Sequence, residues 1–287
     1  MKHSILSALF ITLAAPVVLA APRQDSGLEF PQPSPGATLK QRVGLTDFEI
    51  AYSRPSVKGR KIFGGLVPFG EVWRTGANAA TKLTFSTDVG FEGQLVPAGS
   101  YALVTIPGEK EWTVILSKVT GEWGAYAYDE KNDQLRVKVK PVALPELVET
   151  MTIDLGALRD DAATLTIAWE KTRVPVKLET DLVESLKEKI ATAMAGDGKK
   201  PYFQAAMFYY EHDLDLKQAL AWIDEAIKEK PDAVWMVYRK GLIQAKAGDK
   251  KGALASAQAA LEMAKKAGGS LGAEYTRLSE SLIASVK

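Results

Sequence analysis

The densest group of residues that could bind a ligand lies between positions 52 and 81. Four basic residues occur between positions 54 and 61 with no acidic residue among them, and glycines interrupt the segment too often for a regular strand or helix. Arginine grips a carboxylate or phosphate through two parallel hydrogen bonds, and tryptophan offers a flat face to a sugar ring. The segment therefore predicts a site for an anionic or saccharide ligand, with these candidate residues: Arg54, Lys58, Arg60, Trp73, Arg74 and Asn78.

A structural interpretation of the same arginines competes with this one. Glu49, Glu71 and Asp88 are near enough in sequence to pair with them and hold a long loop in place. Structural ion pairs gather charge in the same way as binding sites do, and the sequence slightly favours them. Both interpretations stay open at this point.

The residue types that are missing exclude several kinds of catalysis. The chain has no cysteine and only two histidines, His3 and His212, neither of them between positions 38 and 178. A Ser-His-Asp triad, thiol chemistry or an imidazole zinc site cannot be built in that region. Ser270 lies in a G-x-S-x-G pattern, but a helical segment precedes it and no histidine follows. We predict no catalytic residue, no metal ligand and no cofactor.

Carboxylates leave one enzymatic alternative. Glu71 and Glu111 are conceivable partners for a hydrolase or isomerase that acts through the Arg54–Asn78 loop. The sequence alone cannot bring them to the separation that such chemistry needs.

The elements that would position these residues begin as strands. Apolar and polar residues alternate in three separate runs, which is typical of strands with one buried face. A Pro-Gly pair at positions 107 and 108 predicts a tight hairpin turn between 100–106 and 111–117. We predict an all-β domain at 38–178 and choose an antiparallel β-sandwich. The apolar positions of the three runs are Leu135, Val137, Val139, Met151, Ile153, Leu155, Leu165, Ile167 and Trp169.

After position 178 the pattern becomes helical. Asp181 with Glu184, and Asp215 with Gln218, have the spacing of helix-capping pairs. Alanines recur 34 residues apart, which is the tetratricopeptide period, at Ala219 and Ala253 and at Ala226 and Ala260. We therefore predict a tetratricopeptide-like helical domain at 179–287, with a flanking helix at 181–195 and a closing helix at 273–286.

Aromatic and aliphatic residues on the first helices of these repeats predict a groove for a protein or peptide partner. An equally good interpretation is that the same residues brace the β domain. The candidates are Phe208, Trp235, Tyr238 and Leu242.

The first residues indicate export. A basic start, an apolar run and small residues predict a signal peptide at 1–20 with cleavage after Ala20, and a proline-rich linker follows at 21–37. We expect a periplasmic or secreted protein with no membrane span after cleavage. The formal net charge of +1 gives no reason to expect a nucleic-acid partner.

Three runs carry a family resemblance: KGRKIFGGLVPFGEVWRTGANAATKLTFSTD at 58–88, LVPAGSYALVTIPGEKEWTVILSK at 95–118, and WGAYAYDEKNDQLRVKVKP at 123–141. They resemble the exported bacterial family called domain of unknown function 2911, over about Lys40–Leu178. The resemblance implies an exported, mostly β module, with helical repeats appended in some members and no established activity.

These observations together predict a non-catalytic binding or scaffolding protein of the cell envelope. Its β domain would take an anionic or saccharide ligand, and its helices would contact a protein. The carboxylate enzyme is the alternative.

Overall fold

The β domain and the helices follow one another along the chain. The computed structural model describes residues 30–287; the signal peptide predicted at 1–20 and the first part of the linker, 21–29, lie outside the described residues. The strands are β1 Gly36–Val43, β2 Thr46–Ser53, β3 Thr81–Phe85, β4 Val89–Phe91, β5 Gln94–Val96, β6 Gly99–Ile106, β7 Trp112–Ser117, β8 Asp133–Val139, β9 Val142–Gly156 and β10 Ala162–Thr180. The helices are α1 Leu182–Ala195, α2 Tyr202–Glu211, α3 Leu216–Glu229, α4 Val234–Lys246, α5 Lys250–Ala267 and α6 Gly269–Val286.

The strands form two antiparallel sheets around one core. Six strands are ordered β1-β2-β3-β6-β7-β8, and four are ordered β5-β4-β10-β9. Side chains of both sheets share one buried cluster, to which Leu83 and Leu103 contribute from the first sheet and Leu165 and Val176 from the second. The prediction of an antiparallel β-sandwich followed by helices is confirmed.

The alternation of apolar and polar residues in the sequence corresponds to an alternation of buried and exposed side chains in the strands. Leu135, Val137 and Val139 of β8 are buried, whereas Arg136 and Lys138 between them face outward. The predicted hairpin is also present, because β6 pairs with β7 from Ile106 opposite Thr113 onward. A period of two thus places one face of each strand in the core.

The β9–β10 hairpin is irregular where it reaches the 54–78 loop. Its ladder shifts register on both sides of Glu170, which has a positive φ of 55°. The strand β10 also bends back, because the N–H of Thr180 donates to the carbonyl of Asp161 at 2.8 Å. Such bulges bend a strand and re-aim its side chains.

The outer face of the six-stranded sheet is partly covered. Ala102, Val104 and Ile115 form a second small cluster, against which Val72 and Tyr128 pack from the loops. The 118–129 segment between β7 and β8 therefore lies against this face.

The helices begin directly after the last strand. The strand β10 ends at Thr180, two residues beyond the predicted boundary, and α1 starts at Leu182. Asp215 caps α3 by accepting from the N–H groups of Lys217 and Gln218, as predicted. Asp181 makes no such bond at α1, so that capping prediction is wrong.

From α2 to α6 each helix packs against the next one. The closing helix α6 begins at Gly269, four residues before the predicted start at position 273. The repeated alanines lie buried at these helix contacts, where a larger side chain would force the helices apart: Ala219, Ala226, Ala253 and Ala260. Within residues 30–287, no helix has both the length and the apolar character that crossing a membrane requires.

Candidate functional site

A cavity of about 380 Å³ opens between the 54–78 loop and β10. Its wall combines two tryptophans, two arginines and one carboxylate with small and aliphatic residues. The lining residues that the chemistry depends on are Arg60, Glu71, Trp73, Arg74, Gly76 and Trp169. The volume lies within the range of small-ligand sites.

Arg74 is the exceptional residue of this wall. Its Nε is buried, yet it has no hydrogen-bond partner among the described residues. A buried donor without a partner costs about 1 to 3 kcal/mol, and more when the group is charged. A ligand acceptor would remove that cost if a small movement of the Arg74 side chain brought this nitrogen to the cavity.

The residues on either side of Arg74 are fixed by the sheet. The backbone of Trp73 exchanges two hydrogen bonds with Thr105 of β6, at 2.7 and 2.9 Å. Thr75 is fully buried, its hydroxyl lies 3.0 Å from that of Thr105, and its carbonyl accepts from the hydroxyl of Thr81 at 2.6 Å. The side chain of Arg74 therefore extends from a backbone that is held by hydrogen bonds on both sides.

Strained backbone occurs on both walls of the cavity. Thr75 next to Arg74, and Glu170 next to Trp169, each have a φ of 55°, in the left-handed region. For a β-branched residue such as threonine this conformation is rare and costs about 1 to 3 kcal/mol. Strain of this kind clusters at functional sites.

Arg60 is the second arginine of the cavity, and its guanidinium is already engaged. Its Nε donates to the carbonyl of Val57 at 3.0 Å and its Nη2 to that of Ser56 at 2.6 Å. These bonds hold the loop and leave a positive charge at the cavity wall.

The other three polar candidates lie outside the cavity. Arg54 donates to the carbonyl of Met151 at 2.9 Å, and Lys58 is exposed on the turn that follows β2. The amide of Asn78 donates to the carbonyl of Ser34 at 3.2 Å and to the hydroxyl of Ser53. They shape the loop and are not among the residues that line this cavity, and their part in ligand binding stays a prediction.

The predicted ion pairs do not form within residues 30–287. Glu49 pairs with Lys40 at 3.0 Å across β1 and β2, and Asp88 accepts from the N–H of Ala98. Glu71 lines the cavity and makes no salt bridge in the described part of the chain. Arg54 and Arg60 donate to backbone carbonyls instead, because those groups lie at close range.

Trp73 does not offer an open face. Its side chain is only 7% exposed, and its ring packs against the rings of Phe63, Trp112 and Trp169, the last in a stacked arrangement at 5.9 Å. Its indole N–H donates to the carbonyl of Gly76 at 3.1 Å. The ring of Trp73 therefore belongs to the cavity wall, and its contact with a sugar stays a prediction.

A comparison with known protein families finds a match over the region that carries this cavity. The model of a family described as "Protein of unknown function (DUF2911)" matches residues 34–178. The chain belongs to the DUF2911 family. No curated protein matches the chain, and no solved structure matches it.

One member of the DUF2911 cavity, Trp169, lies outside the loop that the sequence analysis singled out. Trp169 comes from β10, and its indole donates to the carbonyl of Glu149 at 3.3 Å. Glu170 beside it accepts from the N–H of Ile62 at 3.2 Å, which ties the bulge to the loop. No local sequence signal marks this bulge.

The two candidate carboxylates have different surroundings in the DUF2911 domain. Glu71 lines the cavity, whereas Glu111 forms a salt bridge with Lys138 at 2.8 Å in the β7–β8 ladder. Among residues 30–287, no group of three or more His, Cys, Asp or Glu side chains is arranged to hold a metal ion.

The four groove candidates of the helices lie outside the DUF2911 match and have different neighbours. Phe208 packs against His212 and lines an opening that Leu45 of the β domain also borders. Trp235 and Tyr238 pack toward α5 and α6, where Tyr238 meets the ring of Tyr275 at 5.8 Å.

Burial raises the pKa of Tyr238, and Leu242 is half-buried. Phe208 thus faces α1 and the sandwich while Trp235 and Tyr238 pack within the helical array, and a partner groove at these residues stays a prediction.

Proposed function

We propose that the protein is an exported, non-catalytic binding protein of the cell envelope whose DUF2911 domain holds an anionic group against Arg74. The observation that carries this proposal is the buried Nε of Arg74, which lacks an acceptor in the described chain. Native proteins rarely leave such a donor unsatisfied, and each exception calls for an explanation. We propose that a ligand supplies the acceptor, after a small movement of the Arg74 side chain toward the cavity.

The charged and apolar groups of the cavity wall narrow the chemical classes of ligand that fit. Arg74 and Arg60 supply two positive charges and Glu71 one negative charge, so an anion is favoured and a hydroxyl donor can be accepted. The tryptophans and Leu66 provide apolar surface for the body of the ligand. A small carboxylate with hydroxyl groups, such as a sugar acid, fits this combination.

Thermal unfolding with added ligands tests the proposal. We expect glucuronate, succinate or phosphate to raise the melting temperature, by the equivalent of about 2.7 kcal/mol at a hundredfold the dissociation constant. Arg74→Ala should abolish the shift, and Arg74→Lys should weaken it, since lysine keeps the charge and loses the fork.

The matched control is Arg159→Ala. Arg159 lies in the exposed turn between β9 and β10, about seven strand residues, or roughly 23 Å, before Trp169. It should leave the shift unchanged. A shift that survives Arg74→Ala, or the absence of any shift in the wild type, would contradict the proposal.

One observation favours an enzymatic second candidate. Glu71 lines the same cavity as Arg74, so a carboxylate and a guanidinium could act together on a bound substrate. Turnover of an envelope saccharide that Glu71→Gln abolishes while binding persists would support a hydrolase or isomerase. Equal behaviour of the wild type and Glu71→Gln in binding, with no turnover in either, would support the binding protein.

For the helical region we propose two degenerate tetratricopeptide-like repeats that contact a protein or peptide and brace the β domain. The buried alanines at the 34-residue spacing support the repeat, and Phe208 beside Leu45 supports bracing. Sedimentation of the protein with and without Phe208→Ser, together with its melting curve, would separate partner contact from bracing.

A further inference from the structure

Two exposed aromatic rings lie on the 118–129 loop, between β7 and β8. The side chain of Trp123 is 70% exposed and that of Tyr126 is 91% exposed. The proposed function does not use either residue. Large aromatic side chains at the surface are enriched where a ligand or partner binds.

The loop that carries these rings is held in place. The carbonyl of Glu122 accepts from the N–H of Ala80 at 2.9 Å, and the N–H of Gly124 donates to the carbonyl of Asn78 at 3.2 Å. At the loop's other end, the hydroxyl of Tyr128 donates to the carboxylate of Asp133 at 2.9 Å. Rings presented on an anchored loop lose little conformational entropy when they bind.

The backbone that carries Trp123 lies close in space to the Arg74 cavity. Ala77 lines the cavity, and two residues later Ala79 pairs with Trp123 in an antiparallel bridge. Consecutive Cα atoms are 3.8 Å apart and paired ones about 5 Å apart, so the Cα atoms of Ala77 and Trp123 lie within about 13 Å. This separation is short enough for a ligand of several sugar units to span it.

We propose that the cavity and these rings together bind an acidic oligosaccharide. Its acidic sugar places a carboxylate against Arg74, and a neighbouring sugar stacks on Trp123 with Tyr126 beside it. This inference rests on the proposed anion site and adds the ligand class and the second contact.

The size of the patch favours a saccharide over a protein. Each buried aromatic side chain contributes about 150 to 250 Å², so two rings supply at most about 500 Å². A standard protein interface needs about 800 Å² from each partner. Val119 is the other large apolar side chain that the described loop exposes, and at 39% it adds little.

Calorimetric titration of the whole protein tests the inference with three probes: galacturonate, a galacturonate trimer and the neutral cellotriose. We expect the trimer to bind about tenfold more tightly than the monomer, and Trp123→Ala to remove that gain while leaving monomer affinity unchanged. Trp123→Phe should keep most of the trimer's gain in affinity. The control is Leu95→Ala, since Leu95 is also 70% exposed but lies on β5.

The outcomes separate this inference from the anion site. Equal affinities for monomer and trimer, or a trimer gain that survives Trp123→Ala, would overturn the oligosaccharide and leave the Arg74 site standing. Cellotriose binding as tight as that of the galacturonate trimer would overturn the acidic requirement. Loss of all binding in Arg74→Ala with monomer and trimer alike is the expected result, and no binding of any probe by the wild type would overturn both proposals.

Discussion

Replacing Arg74 by methionine should make the ligand-free protein more stable. The buried Nε has no partner among the described residues, so its burial costs about 1 to 3 kcal/mol, whereas methionine fills similar space with no polar atom. Because the residue as a whole is only half-buried, we take the low end, about 1 kcal/mol. For a chain of this length that raises the melting temperature by about 2 to 4 °C.

The companion variant is Arg60→Met, which we expect to lower the stability of the protein instead of raising it. Arg60 donates two hydrogen bonds to backbone carbonyls, and their loss should lower the unfolding free energy by about 1 kcal/mol. Calorimetric melting curves of both variants and the wild type, recorded without anions in the buffer, give the comparison. If Arg74→Met lowers the melting temperature as much as Arg60→Met does, Arg74 is structural and the argument for an unsatisfied donor fails.

Three further predictions concern the fold. Leu103→Ala in β6 empties a fully buried position and should cost about 3 kcal/mol in urea unfolding; a loss below 1 kcal/mol would mean that the core there is loose. Asp215→Ala should cost about 1 kcal/mol in the helical melting transition and Asp181→Ala close to nothing, because only the first of them accepts cap bonds. Burial, with the Asp133 hydrogen bond, raises the pKa of Tyr128 from 10.0 to about 12, so stability from its neutral form is present below pH 10 and is lost as pH rises to 12; Tyr128→Phe should flatten that decline and remove the latest step of the phenolate absorbance titration.

The sandwich was predictable from the sequence because its strands keep a strict period of two. Leu135, Val137 and Val139 show this well, since each apolar residue is buried and each residue between them is polar. The Pro-Gly turn fixed the β6–β7 hairpin for an equally local reason. Local rules were sufficient wherever neighbouring residues determined the outcome.

The cavity was predictable only in part, because its two walls come from distant parts of the chain. Arg74 and Trp169 are 95 residues apart, and although the alternation of β10 predicts that Trp169 faces inward, no local pattern predicts that it meets Arg74. The burial of Trp73 could not be predicted for a similar reason, since three rings from other parts of the chain pack around it. Irregular loops carry no periodicity from which burial can be inferred.

The two capping aspartates show how identical chemistry can diverge. Asp215 has an extended backbone, with ψ of 100°, from which its carboxylate reaches the N–H groups of the first turn. Asp181 follows β10 directly and has ψ of 52°, so its carboxylate makes no bond there. The preceding strand, and not the residue type, decides between them.

The irregular ladder of the β9–β10 hairpin also has a consequence for how copies of the protein meet. The strand β9 forms one edge of the four-stranded sheet, and Val142 and Leu147 on it are exposed. An apolar edge of this kind invites a strand from another molecule and so promotes fibre growth. Pro145 sits between them, where it cannot donate a backbone hydrogen bond to an incoming strand and where the shift in register already spoils the template. The proline and the distorted ladder together therefore make this edge a poor template for strand addition.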